Sequence, residues 1–480
     1  MMFFNPSLSR LFILLMLVVS FNSQASMLKN LTDSKLVAQV DNWAVPKSSF
    51  EIYYAYHASL KHEVTQESLL TSIIDDRLIS QHALQTIGAK KISDETAVGY
   101  KSEVAQRDLF INILRSQFDA QISKSIVASD KGTLQSYVTK AFDMSQDQFK
   151  NYVSSQTKKQ TFLLVYKLSE RQIEIAKQTV LMSYKFPDAK AEDITLWDIY
   201  QITNVQERIA LHKSDFDKVK TLLQRLMATN YTLYWVKHFS GLSNSEITTI
   251  NEFIYQNQIA GQYYRYSGFK AGIHQDNPKL KEVAEQVSLA EIKRYYQQHK
   301  NDFSTIIKLK ARHITLGSQS EADQVYKVLK SGLSFKDAIQ KYSIAKDKHS
   351  TIPGNLGWIE RSDKNKGWLK SIPFTQKEKY FSPPFMSPLN MGKERVWEIV
   401  YVDERIDGFY PADSETVRYK SSRHIAELKI SEQVKILRKK LQTNASIRLN
   451  KAFVGIVNRE QGEIIDVFHQ EHTHDESEHH

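Results

Sequence analysis

Apolar residues recur along this chain in two rhythms, and the change between them divides it. From about residue 64 to about residue 300 the spacing is helical. Within residues 67–84, Leu70, Ile73, Ile74 and Leu78 fall along one stripe. Gly88 marks the C-terminal stop of that helix, and Ser93, followed by Asp94 and Glu95, the start of the next. Ser288-Leu-Ala-Glu291 is a capping-box sequence heading a helix that ends near Lys300. Beyond it the rhythm turns to strand. Residues 308–316 predict a strand carrying His313, and residues 396–402 predict another. Between them come two short helices up to Tyr342-Ser343 and a Gly-Asn-Leu-Gly-Trp turn at 354–358. Residues 36–50 predict a short strand, a turn and a helix start. Residues 403–413, with Gly408 and Pro411, read as a linker. Ile425, Leu428, Val434, Leu437 and Leu441 then predict a helix from about Glu415 to Leu441.

The two ends differ from everything between them. Arg10 precedes an apolar run at 11–21 and the small-x-small site Ser23-Gln24-Ala25. That run is too short to span a bilayer, so residues 1–25 read as a cleaved export signal. The expectation is an exported, periplasmic protein with no integral membrane segment once the signal is removed. At the other end, residues 456–480 form a polar tail in which His469, His472, His474, His479 and His480 alternate with carboxylates. Such a tail is either a polar end or a weak metal-capturing segment.

Composition narrows the classes. The 480 residues include no cysteine, which removes disulfides, a thiolate nucleophile and a lipid-bearing cysteine. Hydrophobic residues at 41% and charged residues at 25% describe a globular protein of two or three domains. The net charge of +10 is spread along the chain, without a basic stripe interleaved with aromatics, so no nucleic-acid partner is expected. No H-E-x-x-H sequence is present and no cofactor is expected. Among residues 100–270, Tyr231, Tyr234, Trp235, Phe239, Tyr263, Tyr264 and Tyr266 stand at helical spacing. They belong either to a core or to an exposed surface for unfolded chains.

The ordered motifs around His313 resemble the parvulin-type peptidyl-prolyl isomerases. The resemblance runs through Ala311-Arg-His-Ile, Tyr342-Ser343, Gly354-Asn-Leu-Gly-Trp358 and Val396-Trp-Glu-Ile-Val-Tyr-Val402. A looser resemblance joins residues 36–50, the Ile-Ile-Asp-Asp-Arg-Leu-Ile helix and Ile87-Gly88 to the amino-terminal domain of exported SurA-like chaperones. Together they imply an α+β protein. Its mostly α-helical chaperone domain is discontinuous, formed by 26–303 and a C-terminal helix in 412–455. A small α+β parvulin domain at 304–406 is inserted into it. The implied partners are unfolded or partly folded exported proteins and their proline-containing segments.

The resemblance also assigns roles. His313 matches the first-strand histidine, and Asp347 the acidic residue of the loop. Trp368, Leu369 and Phe374 match the apolar groove for the proline ring, while the groove methionine falls on Asn365. Glu398 stands where the family has a last-strand histidine. A carboxylate on an otherwise apolar strand face needs a partner, so Glu398 is expected to pair with His313 and raise its pKa. Two readings stay open: an active peptidyl-prolyl isomerase using His313, Asp347 and Glu398, or a non-catalytic client-binding chaperone on a degenerate parvulin fold. A metal-handling accessory defined by the tail is a third.

Overall fold

The computed structural model describes residues 29–60, 64–92, 102–153, 166–269, 277–388 and 395–450. The export-signal segment, the Ser93-Asp94-Glu95 helix start and the histidine-rich tail lie outside the described residues. The protein is α+β, with long helices and three small sheets among the described residues. Its described residues fall into two compact units. One runs up to Tyr266 and includes the residues from Gln433 onward; the other is Ser267–Glu432.

In the first unit, β1 (Lys29–Asn30), β2 (Leu36–Val40), β3 (Trp43–Pro46) and β11 (Ile447–Leu449) form a sheet in the order β1-β11-β2-β3. The helices Lys47–Leu60 and Gln66–Thr86 follow. Thr65 caps the second of these reciprocally with Ser68, and Gly88, at φ +85°, lets the chain turn away at its end. Leu70, Ile73, Ile74 and Leu78 are buried along one stripe of that helix. Asp75 on the same helix is also buried, and a buried carboxylate needs donors. Arg438 and Gln442, near the end of the Glu415–Asn444 helix, supply them. The last helix and β11 therefore both close on amino-terminal elements more than 350 residues away in sequence.

The purely helical reading of residues 64–300 is corrected in one place. β4 (Val138–Lys140), β5 (Val180–Tyr184) and β6 (Glu192–Thr195) form an antiparallel sheet in that order. These strands are too short for period-2 alternation to stand out against the helices on either side. Of the seven aromatics, Tyr231, Trp235 and Tyr264 are buried and Tyr234 and Tyr263 half-buried. Tyr231 stacks on Tyr137 at 5.4 Å between ring centres and meets Phe186 edge-on at 5.2 Å. Phe239 and Tyr266 are exposed, so this set is mainly core.

The second unit is built on an antiparallel sheet in the order β8-β7-β10-β9: Asn355–Glu360, Ser304–Leu316, Trp397–Phe409 and Phe385–Met386. The linker expected at 403–413 is corrected. Asp403–Phe409 continues β10 and pairs with residues 304–310, down to Phe409 opposite Ser304. Gly408 looked like a linker residue, but a Cβ there would lie 2.8 Å from the Ile307 side chain. The Ile307 side chain lying across this position accounts for it. The helices Pro278–Glu285 and Leu289–Gln298 also belong to this unit, and the Ser288–Glu291 capping box is formed.

Side chains alternate across the sheet. One face is covered by the helices Gln319–Lys330 and Phe335–Tyr342, where Ile314, Leu316 and Ile399 pack against Val325, Leu329 and Ile339. The other face carries Leu309, Ala311, Val400 and Val402 with Ile359 and Phe374. His313, Thr315 and Glu398 continue that same face.

Candidate functional site

Strand register assembles the site. In the β7–β10 ladder His313 lies opposite Val400 and Thr315 opposite Glu398, and directly opposed residues point to the same face. Glu398 is thus the diagonal neighbour of His313, and its Oε2 lies 2.9 Å from His313 Nδ1. The second carboxylate oxygen, Oε1, accepts the Thr315 hydroxyl at 2.8 Å. On the far side of the ring, His313 Nε2 is 2.9 Å from Asp347 Oδ2. With 8% of His313 and 3% of Glu398 exposed, this is a buried charge cluster and not a surface ion pair.

Asp347 arrives on a loop, and Ser343 explains how. The buried Ser343 hydroxyl accepts from Thr315 N at 3.2 Å and from Ala345 N at 3.3 Å. Ile344 N donates to Thr315 O at 2.9 Å. The loop is laid along β7, and the 3-10 turn Lys346–His349 swings Asp347 to the ring. Gly354 closes the loop at φ +65°, its carbonyl accepting from His313 N at 2.8 Å. A Cβ at 354 would stand 2.5 Å from His313 O and 2.9 Å from Ile339 Cδ1, so only glycine fits. Asn355 Oδ1 accepts from Gly357 N at 2.9 Å and holds the turn into β8.

The electrostatics follow from the donor count. A neutral imidazole has one N–H, and here both nitrogens face carboxyl oxygens, an arrangement that favours the imidazolium, which donates on both sides. Burial works to lower the His313 pKa. The hydrogen bond and charge of Glu398, then those of Asp347, outweigh it and hold the pKa above the ordinary histidine value. The ring thus stands between two carboxyl groups. Asp347 Oδ1 is shielded from solvent and has no hydrogen-bond partner among the described residues.

No family model matches the chain, and no curated protein sequence matches it. Among solved structures, the peptidylprolyl isomerase PrsA of Bacillus anthracis is 19% identical over 47% of this chain and 84% of its own, with a TM-score of 0.19. A SurA-like chaperone of Campylobacter jejuni is 14% identical over 66% and 96%, with a TM-score of 0.19. The foldase protein PrsA of Lactococcus lactis is 10% identical over 87% and 96%, with a TM-score of 0.20. The chain is similar to PrsA foldases and SurA-like chaperones. At TM-scores of this size the superpositions carry no functional reading, which rests on the site's own geometry.

The apolar side of the site is mixed. Leu369 and Trp368 are half-buried beside the sheet, Leu369 packing against the cluster that contains Val400 and Val402. Phe374 is 8% exposed, with the Arg361 guanidinium 4.7 Å from its ring centre and the Lys366 ammonium 5.7 Å away. Asn365 does not reach the groove. It is exposed in a turn, its backbone N–H bonded to Asp363 Oδ1 at 2.8 Å. Two contributors escaped sequence reasoning. Thr315 was legible as the residue two after His313 on the same strand face. Phe385 lies opposite Glu398 and edge-on to Trp368 at 6.0 Å, but its two-residue strand gives no periodic signal. No group of three or more His, Asp or Glu side chains among the described residues is arranged to hold a metal ion. No described helix is long and apolar enough to cross a membrane.

Proposed function

We propose that this chain is an exported, periplasmic folding factor that holds unfolded client segments and isomerises their X-Pro bonds at the cluster of His313, Asp347 and Glu398. The observation that carries this reading is the His313 ring held between two carboxyl groups on a sheet face beside Leu369, Trp368 and Phe385. Rotation about an X-Pro bond meets a barrier of ~20 kcal/mol, and a catalyst has only to bind the twisted amide better than the planar one. The planar amide places added negative charge on its oxygen through conjugation with nitrogen, and twisting reduces it. A fixed negative group beside the peptide, with an apolar wall for the proline ring, therefore favours the twisted form. Asp347 is the group of the three placed nearest the client, because its side chain is 38% exposed whereas His313 and Glu398 are buried. His313 holds that carboxylate in place through Nε2, and Glu398 holds the ring through Nδ1.

The test is a refolding reaction limited by proline isomerisation, followed with and without full-length protein. Acceleration that disappears in Asp347→Ala supports the reading; equal acceleration by the variant removes Asp347 from it. A second reading, a non-catalytic client-binding chaperone, is favoured by Phe374. Its ring lies under Arg361 and is closed to a proline unless that side chain moves. Suppression of client aggregation without faster refolding would select this alternative.

A further inference from the structure

A carboxylate at position 398 creates a demand that an imidazole there would not. Glu398 brings two oxygens into a place where 3% of the residue is exposed, and each needs a donor if the group is to stay ionised and oriented. His313 Nδ1 supplies one donor, to Oε2. Thr315 Oγ1 supplies the other, to Oε1 at 2.8 Å, and lies 3.3 Å from His313 Nδ1. Thr315 can serve both neighbours because it is directly opposite Glu398 in the ladder and two residues from His313 on the same strand face. Its backbone serves the opposite side of the site. Thr315 N donates to Ser343 Oγ and Thr315 O accepts from Ile344 N, at the root of the loop that carries Asp347.

We infer that Thr315 is the positioning residue of this site: its hydroxyl fixes the Glu398 carboxylate so that the other oxygen accepts the hydrogen bond of His313 Nδ1, while its backbone anchors the loop that brings Asp347 to Nε2. Its effect on rate rests on the isomerase reading above; its effect on the His313 ring does not. A valine at this position keeps the β-branched shape and leaves Oε1 bare, whereas a serine keeps the donor. The role is therefore separable from packing.

Full-length wild type, Thr315→Val and Thr315→Ser are compared by NMR titration of the His313 ring and by cis–trans exchange of a short proline peptide. In Thr315→Val the ring is expected to titrate lower by on the order of one pH unit, and exchange to slow roughly tenfold. Thr315→Ser restores both. In a Glu398→Gln background, Thr315→Val leaves the titration where Glu398→Gln alone puts it. A His313 midpoint that is the same in wild type and Thr315→Val, or a serine variant that behaves like valine, overturns the inference. If wild type does not accelerate exchange, the isomerase reading fails while the ring titration still reports on Thr315. Should Thr315→Val not fold, the wild-type Thr315 hydroxyl proton decides. Slow exchange with solvent supports a locked bond to Glu398, and free exchange contradicts it.

Discussion

The two faces of the β8-β7-β10-β9 sheet are made by the same strands and are built on opposite terms. Beneath the helices, Ile314, Leu316 and Ile399 meet Val325, Leu329 and Ile339, and the Arg312–Asp403 pair lies half-buried beside Phe335 and Tyr401. On the reverse face the apolar row of Leu309, Ala311, Val400 and Val402 gives way to His313, Thr315 and Glu398, all at most 8% exposed. Burying three polar side chains where alternation would allow three apolar ones is a poor route to stability, since buried ion pairs often do no better than hydrophobic replacements. The helix face holds the fold together. The reverse face retains charge that the fold does not require, which is the physical argument for function there.

The contrast can be broken by mutation. Ile339→Ala, at a fully buried position on the helix face, should lower unfolding free energy by roughly 2–5 kcal/mol in urea titration. On the reverse face, Glu398→Ala leaves His313 with Asp347 as its remaining carboxylate and should cost roughly 3–5 kcal/mol. The combined His313→Leu, Thr315→Val and Glu398→Leu variant should return to within roughly 2 kcal/mol of wild type, or exceed it, while losing any isomerase activity. A triple variant much less stable than Glu398→Ala would show that the cluster is structural after all.

The charge on His313 gives the contrast a pH dependence. Its folded pKa is raised, so its contribution to stability is fully present below the unfolded value of about 6.5 and is lost as pH rises through the folded pKa. Urea unfolding of wild type and His313→Gln across this range should show a difference that shrinks towards alkaline pH; a difference that grows would reverse the sign argued here. The smallest effect belongs to an exposed pair. Lys177→Ala, which breaks the surface contact with Glu174 (2.8 Å), should change stability by less than about 0.5 kcal/mol.

Sequence reasoning reached one unit further than the other, for physical reasons. In the sheet unit, period-2 alternation puts His313 and Glu398 on the buried reverse face. The glycine demanded at 354 fixes where the loop carrying Asp347 must close. Thr315 was readable from the same alternation but looks like an ordinary strand residue until Glu398 is seen to need a second donor. Phe385, the covering of Phe374 by Arg361 and the exposed place of Asn365 depend on loops without periodicity. In the helical unit the stripe of Leu70, Ile73, Ile74 and Leu78 was legible. The three-residue strand Val138–Lys140 and its partners were not, because pairing between distant short segments leaves no local mark.

The most direct test of the central claim is NMR exchange spectroscopy on a short proline peptide with the full-length protein and with His313→Ala. The account predicts that wild type speeds cis–trans exchange and that the variant loses most of the acceleration while still folding. Peptide binding by wild type without faster exchange, or equal acceleration by both proteins, would contradict it.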